Sequence, residues 1–191
     1  ASIGYTYDGN GNRTAMSSPW GSFSYSFDQL DRLKTITNPQ GKTFSFTYDA
    51  LGRRTKLNYP NGVEADYAYD AASQLTSVVH KRTADNGAIA LAQYSYDAAG
   101  NRISMQDMSG SHSYGYDNLH RLVSANHPPF SNLDTKAETF NYDEVGNRTG
   151  DAKGNGYSHD NANRLLSDGL FTYTYDANGN QTNKTDRSNG R

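Results

Sequence analysis

Nine times along the chain an aspartate is preceded, three residues back, by an aromatic ring, and in eight of the nine a second ring stands immediately before it. The aspartates are Asp8, Asp28, Asp49, Asp70, Asp97, Asp117, Asp143, Asp160 and Asp176, spaced 16 to 27 residues apart. With each taken as position zero, the −3 column reads Tyr5, Tyr25, Phe46, Tyr67, Tyr94, Tyr114, Phe140, Tyr157 and Tyr173. The −1 column reads Tyr7, Phe27, Tyr48, Tyr69, Tyr96, Tyr116, Tyr142, the variant His159, and Tyr175. Seventeen of the 23 aromatic residues fall in these two columns. A separation of two puts both rings on one side of an extended strand, whereas a helix would turn them roughly 200 degrees apart. Between them, at −2, sit small or polar residues such as Thr6, Ser26, Thr47, Ala68 and Ser95. The 18 glycines, spread at short intervals, would each cost about 1 kcal/mol relative to alanine inside a helix. The register therefore predicts an all-β chain of consecutive antiparallel β-hairpins in a twisted single-layer sheet, about two strands per repeat.

Each aspartate reads as the start of a turn. In Asp176-Ala177-Asn178-Gly179 the carboxylate can accept backbone N–H groups two residues on, and glycine at the fourth position tolerates positive φ, which suits a type I turn with a glycine bulge. Gly11, Gly52, Gly100, Gly146 and Gly179 occupy that +3 position in alternate copies; the intervening copies have Asp31, Ser73, His120 and Asn163. At +5 the alternation is Arg13, Leu33, Arg54, Leu75, Arg102, Leu122, Arg148, Leu165, then Gln181. The building block is thus a pair of hairpins, one of glycine type and one of leucine type, averaging 42 residues. A second reversal, carried for example by Asn38-Pro39-Gln40-Gly41, returns the chain to the next aromatic strand.

If the turn carries its bulge, +5 stands opposite −1, so that a ring meets arginine or leucine in alternation, and +7 (Ala15, Thr35, Lys56, Ser77 and their equivalents, mostly small) stands opposite −3. Large against small leaves room for rings of neighbouring hairpins, so the aromatics are expected to form two continuous ladders across the strands. The whole chain, 1–191, reads as one array of nine copies with loop insertions near 79–93 and 126–139, at the edge opposite the aspartate turns. An array that starts and stops without a capping element is expected to be a fragment of a longer one, with open strand edges that favour self-association. On this reading, replacing Tyr94 and Tyr96 by alanine destabilises far more than changing Lys81 and Arg82.

Other chemistries find little support. There is no apolar run of membrane-spanning length and no basic-then-apolar leader. Lys and Arg total 18 against 20 Asp and Glu, with the signs interspersed, so nucleic acid is not an expected partner. Zero cysteine excludes disulfides and thiolate metal sites. Asp8-Gly9-Asn10-Gly11-Asn12 resembles the start of a calcium loop, but the twelfth residue is Pro19 where a bidentate acid is needed. Gly9 and Gly11 lack the third glycine and the helix of a dinucleotide loop. The five histidines show no metal-ligand spacing, and no Gly-x-Ser-x-Gly elbow is present. No catalytic residue, cofactor or metal site is expected.

Tyr7-Asp8-Gly9-Asn10-Gly11-Asn12-Arg13-Thr14, Tyr96-Asp97-Ala98-Ala99-Gly100-Asn101-Arg102 and Tyr142-Asp143-Glu144-Val145-Gly146-Asn147-Arg148-Thr149 resemble the YD repeat of the Rhs (rearrangement hotspot) family, which includes Tc-toxin C components, wall-associated toxins and the teneurins. The resemblance covers essentially the whole chain. It implies a ribbon of hairpins spiralling into a hollow shell that, in bacterial members, encloses a C-terminal toxic domain, and hence a secreted or cell-surface setting. The implied function is a structural module of a β-shell that encapsulates or presents an effector, with the rest of that shell and its effector as partners. Autoproteolysis does not carry over, because no Asp-Pro-x-Gly junction is present. The alternative is an adhesion module whose rows of tyrosine contact glycans or a cell surface.

Overall fold

The structure, a computed structural model, describes residues 2–129, 137–151, 154 and 156–187. All of its regular structure is strand, eighteen strands in all among the described residues. They fall into two compact units. One runs to Ser95 and takes in Gln106–Met108; the other comprises Tyr96–Met105 and the chain from Ser109 onward.

In the first unit, β1 (Gly4–Tyr7), β2 (Arg13–Ser18), β3 (Gly21–Phe27), β4 (Leu33–Thr37) and β5 (Thr43–Tyr48) follow one another in chain order. They continue as β6 (Arg54–Asn58), β7 (Val63–Tyr69), β8 (Leu75–Arg82) and β9 (Ala88–Tyr96). Every strand is antiparallel to the next. The second unit holds the larger part of β10 (Arg102–Asp107), up to Met105, and β11 (Gly110–Tyr116), β12 (Leu122–Asn126), β13 (Ala137–Tyr142) and β14 (Arg148–Asp151), again in sequential order. It also holds a four-stranded sheet of β15 (Tyr157–His159), β16 (Leu165–Asp168), β17 (Phe171–Tyr175) and β18 (Gln181–Asp186).

The turns match the expected chemistry. Asp8 donates its N–H to the Asn12 carbonyl at 2.9 Å and its carbonyl accepts from Gly11 N–H at 3.1 Å; the same pair of bonds recurs at all nine aspartates. Gly11 has a φ of 86°, the left-handed conformation that the bulged turn requires.

The register beyond the turn departs from expectation. Tyr7 faces Arg13, so −1 does stand opposite +5, but the pairing then slips by one residue, giving Thr6 opposite Ala15 and Tyr5 opposite Met16. The same shift is found in the hairpins of Tyr25, Phe46, Tyr67, Tyr114, Phe140, Tyr157 and Tyr173. A second bulge, with +5 and +6 together opposing −1, is therefore part of the repeat. Position +7 pairs with −2 on the polar face, and the −3 rings oppose +8: Met16, Ile36, Leu57, Val78 and Ala125, then Asp151, Asp168 and Lys184. A single extra residue moves a whole column to the other face.

The segment 79–93 is strand rather than loop for most of its length. β8 and β9 extend past their neighbours and reverse through Thr83–Gly87, at the end away from the aspartate turns. In the stretch 126–139, residues 130–136 lie outside the described residues, and β13 begins at Ala137. Among the described residues only Leu57, Ala65, Ala125, His112 and Gly150 are buried, and no large side chain is fully buried. Neither unit has an oily interior to rely on, so its cohesion has to come from side chains that link one hairpin to the next.

Candidate functional site

The repeating contact between successive hairpins starts at the turn carboxylate. Asp49 Oδ1 accepts from the backbone N–H groups of Leu51 at 3.0 Å and Arg53 at 2.9 Å. Its Oδ2 takes the Arg53 guanidinium at 2.7 Å. Arg53 Nη1 then reaches the next turn, donating to the Asp70 carbonyl at 3.0 Å and to Ser73 Oγ at 3.1 Å. The same guanidinium lies 4.8 Å from the centre of the Tyr69 ring. Tyr69 in turn donates its hydroxyl to the carbonyl of Arg54, the +5 residue of the preceding hairpin, at 3.0 Å. Two hairpins are thus stapled by one arginine and one tyrosine, at +4 of the first and −1 of the second.

Arg32 with Tyr48, Arg121 with Tyr142, and Arg164 with Tyr175 build the same staple. Where +4 is asparagine, the link moves to the turns themselves. Asn12 donates to Asp31 Oδ1 at 2.7 Å, Asn147 to Asn163 Oδ1 at 2.9 Å, and Asn101 lies 2.9 Å from His120 Nδ1. This explains the alternation at +3. Asp31, Ser73, His120 and Asn163 all hold φ between 56° and 63°, a conformation costly for a residue with a Cβ, and each meets the +4 side chain of the preceding hairpin. Glycine would be easier there, but it has no side chain to meet that group.

A second arginine column, at +5, intercalates. Arg148 sits 4.5 Å from the Phe140 ring and 4.9 Å from the Tyr157 ring, and Arg13 5.8 Å from Tyr5 and 4.5 Å from Tyr25. Arg54 over Tyr67 and Arg102 over Tyr114 complete the set. The rings of the two columns share one face, as expected, but guanidinium groups lie against most of them. A continuous ring-on-ring ladder is not what the geometry shows; ring and cation interleave instead. Planar guanidinium stacks on an aromatic face with little loss of hydration, which is why arginine rather than lysine fills the columns.

The electrostatics follow the turns. The Asn12 N–H groups hold the Asp8 carboxyl below its usual range, and Arg32, Asn101 and Asn180 do the same for Asp28, Asp97 and Asp176. The backbone N–H groups of Arg121 and Arg164 lower Asp117 and Asp160. For Asp49 and Asp143 partial burial opposes the shift, and the bonds from Arg53 and Asn147 outweigh it. Tyr173 donates to Asp168 Oδ2 at 2.7 Å, which raises its ionisation to about 12.

Two clusters were not anticipated. Lys56 and Lys81 both bridge Glu64 and Asp66, at 2.7 to 3.2 Å, on the polar face. Lys81 is consequently a cross-strand ion-pair residue, not a bland loop position. His112 and His127 approach Nδ1 to Nδ1 at 2.7 Å, and His127 Nε2 lies 3.5 Å from Glu138. Residues at −5 and +10 oppose one another, as Ala65 and His80 do in the β7–β8 hairpin, and counting those columns in the sequence would have paired the two histidines. Among the described residues no group of three or more His, Asp or Glu is placed to hold a metal ion.

Phe27 breaks the tyrosine column, so the Arg13 carbonyl lacks the hydroxyl that its counterparts receive. Phe27→Tyr is expected to add that bond and raise stability by about 0.5 to 1 kcal/mol. Thermal melting of the variant checks it, and an unchanged or lower midpoint would contradict the staple.

Comparison with known proteins agrees with this architecture. The RHS Repeat family profile matches residues 27–64 and 96–128. Double-stranded DNA deaminase toxin A of Burkholderia cenocepacia strain H111 is 37% identical over 92 residues, 48% of this chain and 6% of that protein. The crystal structure of TcdB2-TccC3-Cdc42 superposes with a TM-score of 0.70 at 18% identity, over 96% of this chain and 12% of that one. The Tc holotoxin pore of Photorhabdus luminescens gives 0.72 at 19% identity, with the same coverage. These structural likenesses establish the fold, and the chain spans only a small part of the proteins it matches.

Proposed function

We propose, from the premise that this chain is an array of RHS (YD) repeats, that it is a scaffolding section of a β-shell which encapsulates or presents an effector in a bacterial toxin-related protein. The observation that carries this reading is the hairpin-to-hairpin staple. Its polar groups are spent on neighbouring hairpins rather than gathered around a pocket, which is what a wall requires and a catalytic centre does not. Partners on this reading are further repeats of the same array and the enclosed effector, in a secreted or cell-surface setting.

The test uses the full-length parent protein under limited proteolysis. The effector segment should be protected in the parent and released to digestion when Asp49→Ala and Arg53→Ala open the wall. Equal digestion rates in both would refute encapsulation. A glycan-binding role draws on the exposed rings of Tyr5, Tyr7 and Trp20. It requires hits on a glycan array that disappear when these three are replaced by alanine; most other column rings are covered by arginine and offer a sugar no free face.

A further inference from the structure

Arg148, Arg13 and Arg54 occupy the same +5 column, the first two between a pair of rings and Arg54 over the Tyr67 ring, yet only Arg148 has a counter-ion. Arg148 Nη2 binds Asp151 Oδ2 at 3.0 Å, because Asp151 stands at +8, beside the rings. In the first unit +8 is Met16 and Leu57, so Arg13 and Arg54 find no carboxylate there. All eight acidic residues before Ser95 are engaged elsewhere. Glu64 and Asp66 are held by Lys56 and Lys81, and Asp85 by Arg82. Asp8, Asp28, Asp49 and Asp70 accept from their own turns, and Asp31 accepts from Asn10 and Asn12. Arg54 is half-buried, and its Nε, like that of Arg148, is shielded from solvent and without an acceptor; the difference lies at the outer amines, where Arg148 Nη2 has Asp151 and Arg54 meets no acceptor among the described residues.

A guanidinium held against an aromatic face but left without an anion is an incomplete pair, and the chain itself shows in Arg148–Asp151 what completes it. We infer that the ringed face of the first unit is a docking surface for a carboxylate-bearing segment of another polypeptide, with Arg54 and Arg13 as its two anchors. They are two hairpins apart, about 19 Å at ordinary strand spacing. An extended acidic segment of six or so residues bridges that distance. Beside Arg13 a groove of about 460 Å³, lined by Tyr7, Tyr25, Phe27, Leu33 and Ile36, receives an apolar side chain next to the carboxylate. The inference does not depend on the chain enclosing an effector.

The experiment measures fluorescence anisotropy of labelled 12-residue oligo-glutamate, oligo-glutamine and oligo-lysine peptides with this chain. Oligo-glutamate should bind, with an affinity that falls as salt rises; the other two should not. Arg13→Gln with Arg54→Gln should weaken binding at least about tenfold. Met16→Asp supplies Arg13 with an internal partner, as Asp151 does for Arg148, and should remove the Arg13 contribution without lowering the melting temperature. The assignment falls if oligo-glutamate does not bind, or if its affinity is unchanged in the double variant. Tighter binding of a single-stranded oligonucleotide than of oligo-glutamate would also overturn it, in favour of phosphate.

Discussion

Arg53→Ala is expected to cost about 2 to 3 kcal/mol, more than any other single arginine replacement in the first unit. Removing the side chain strips Asp49 Oδ2 of its ion-pair partner, leaves the Asp70 carbonyl and Ser73 Oγ without their donor, and bares the face of Tyr69. The side chain is only 23% exposed, so these contacts are screened less than an ordinary surface pair. Arg82 is the control. It pairs with Asp85 alone, both more than half exposed, and Arg82→Ala should cost under about 1 kcal/mol. Arg53→Lys keeps the charge but not the fork that spans two turns, and should recover less than half of the loss. Arg53→Asn should do better than alanine, because asparagine at +4 is the chain's own second solution, seen at Asn12 and Asn147. Urea titration of the four variants measures the order; equal midpoints for Arg53→Ala and Arg82→Ala would remove the staple as the source of cohesion.

The staple also shows what a sequence of this kind does and does not disclose. Strand, turn and repeat period are local, set by ring spacing of two and by aspartate followed by a residue that tolerates positive φ, so nine copies make them unmistakable. The alternation at +3 and +5 was equally visible, but its cause was not. Asp31 and Ser73 are explained only when they are seen meeting Asn12 and Arg53 from the hairpin before. Pairing was legible as far as Tyr7 opposite Arg13 and lost beyond it. Thr14 at +6 carries no glycine or other signal for the second bulge, and that one residue decides whether Tyr5 faces Ala15 or Met16. The apolar run Met16, Ile36, Leu57, Val78 at +8 was a clue in plain view, since four aliphatics at a fixed offset belong on the ringed face. A guanidinium meeting a ring was legible from +5 standing opposite −1; that the +5 arginines instead lie on −3 rings, for Arg13 and Arg148 those of two adjacent hairpins, follows from the stagger of those hairpins, which no single hairpin encodes.

Because so much of the cohesion is anchored on turn carboxylates, the chain is expected to be acid-labile. Eight of the nine repeat aspartates have their ionisation lowered by the N–H groups or guanidinium they bind. A carboxyl that holds its proton less tightly when folded than when unfolded stabilises the fold wherever it is ionised in both states, which is above its unfolded value of about 3.9. As pH falls from there through the folded values, the unfolded chain binds more protons and the contribution is lost. Each shift is moderated by exposure, but the eight act in the same direction over the same narrow range. The melting temperature should therefore be flat between about pH 7 and 5 and fall steeply below about pH 4. Protonating Asp49 also releases Arg53, so the acid transition and the staple are one event at that turn. Asp49→Asn should lower the melting temperature at pH 7 while making its further fall below pH 4 shallower, since one titrating anchor has gone. A melting temperature unchanged down to pH 2.5, or a decline already under way at pH 6, would refute the role of the carboxylates.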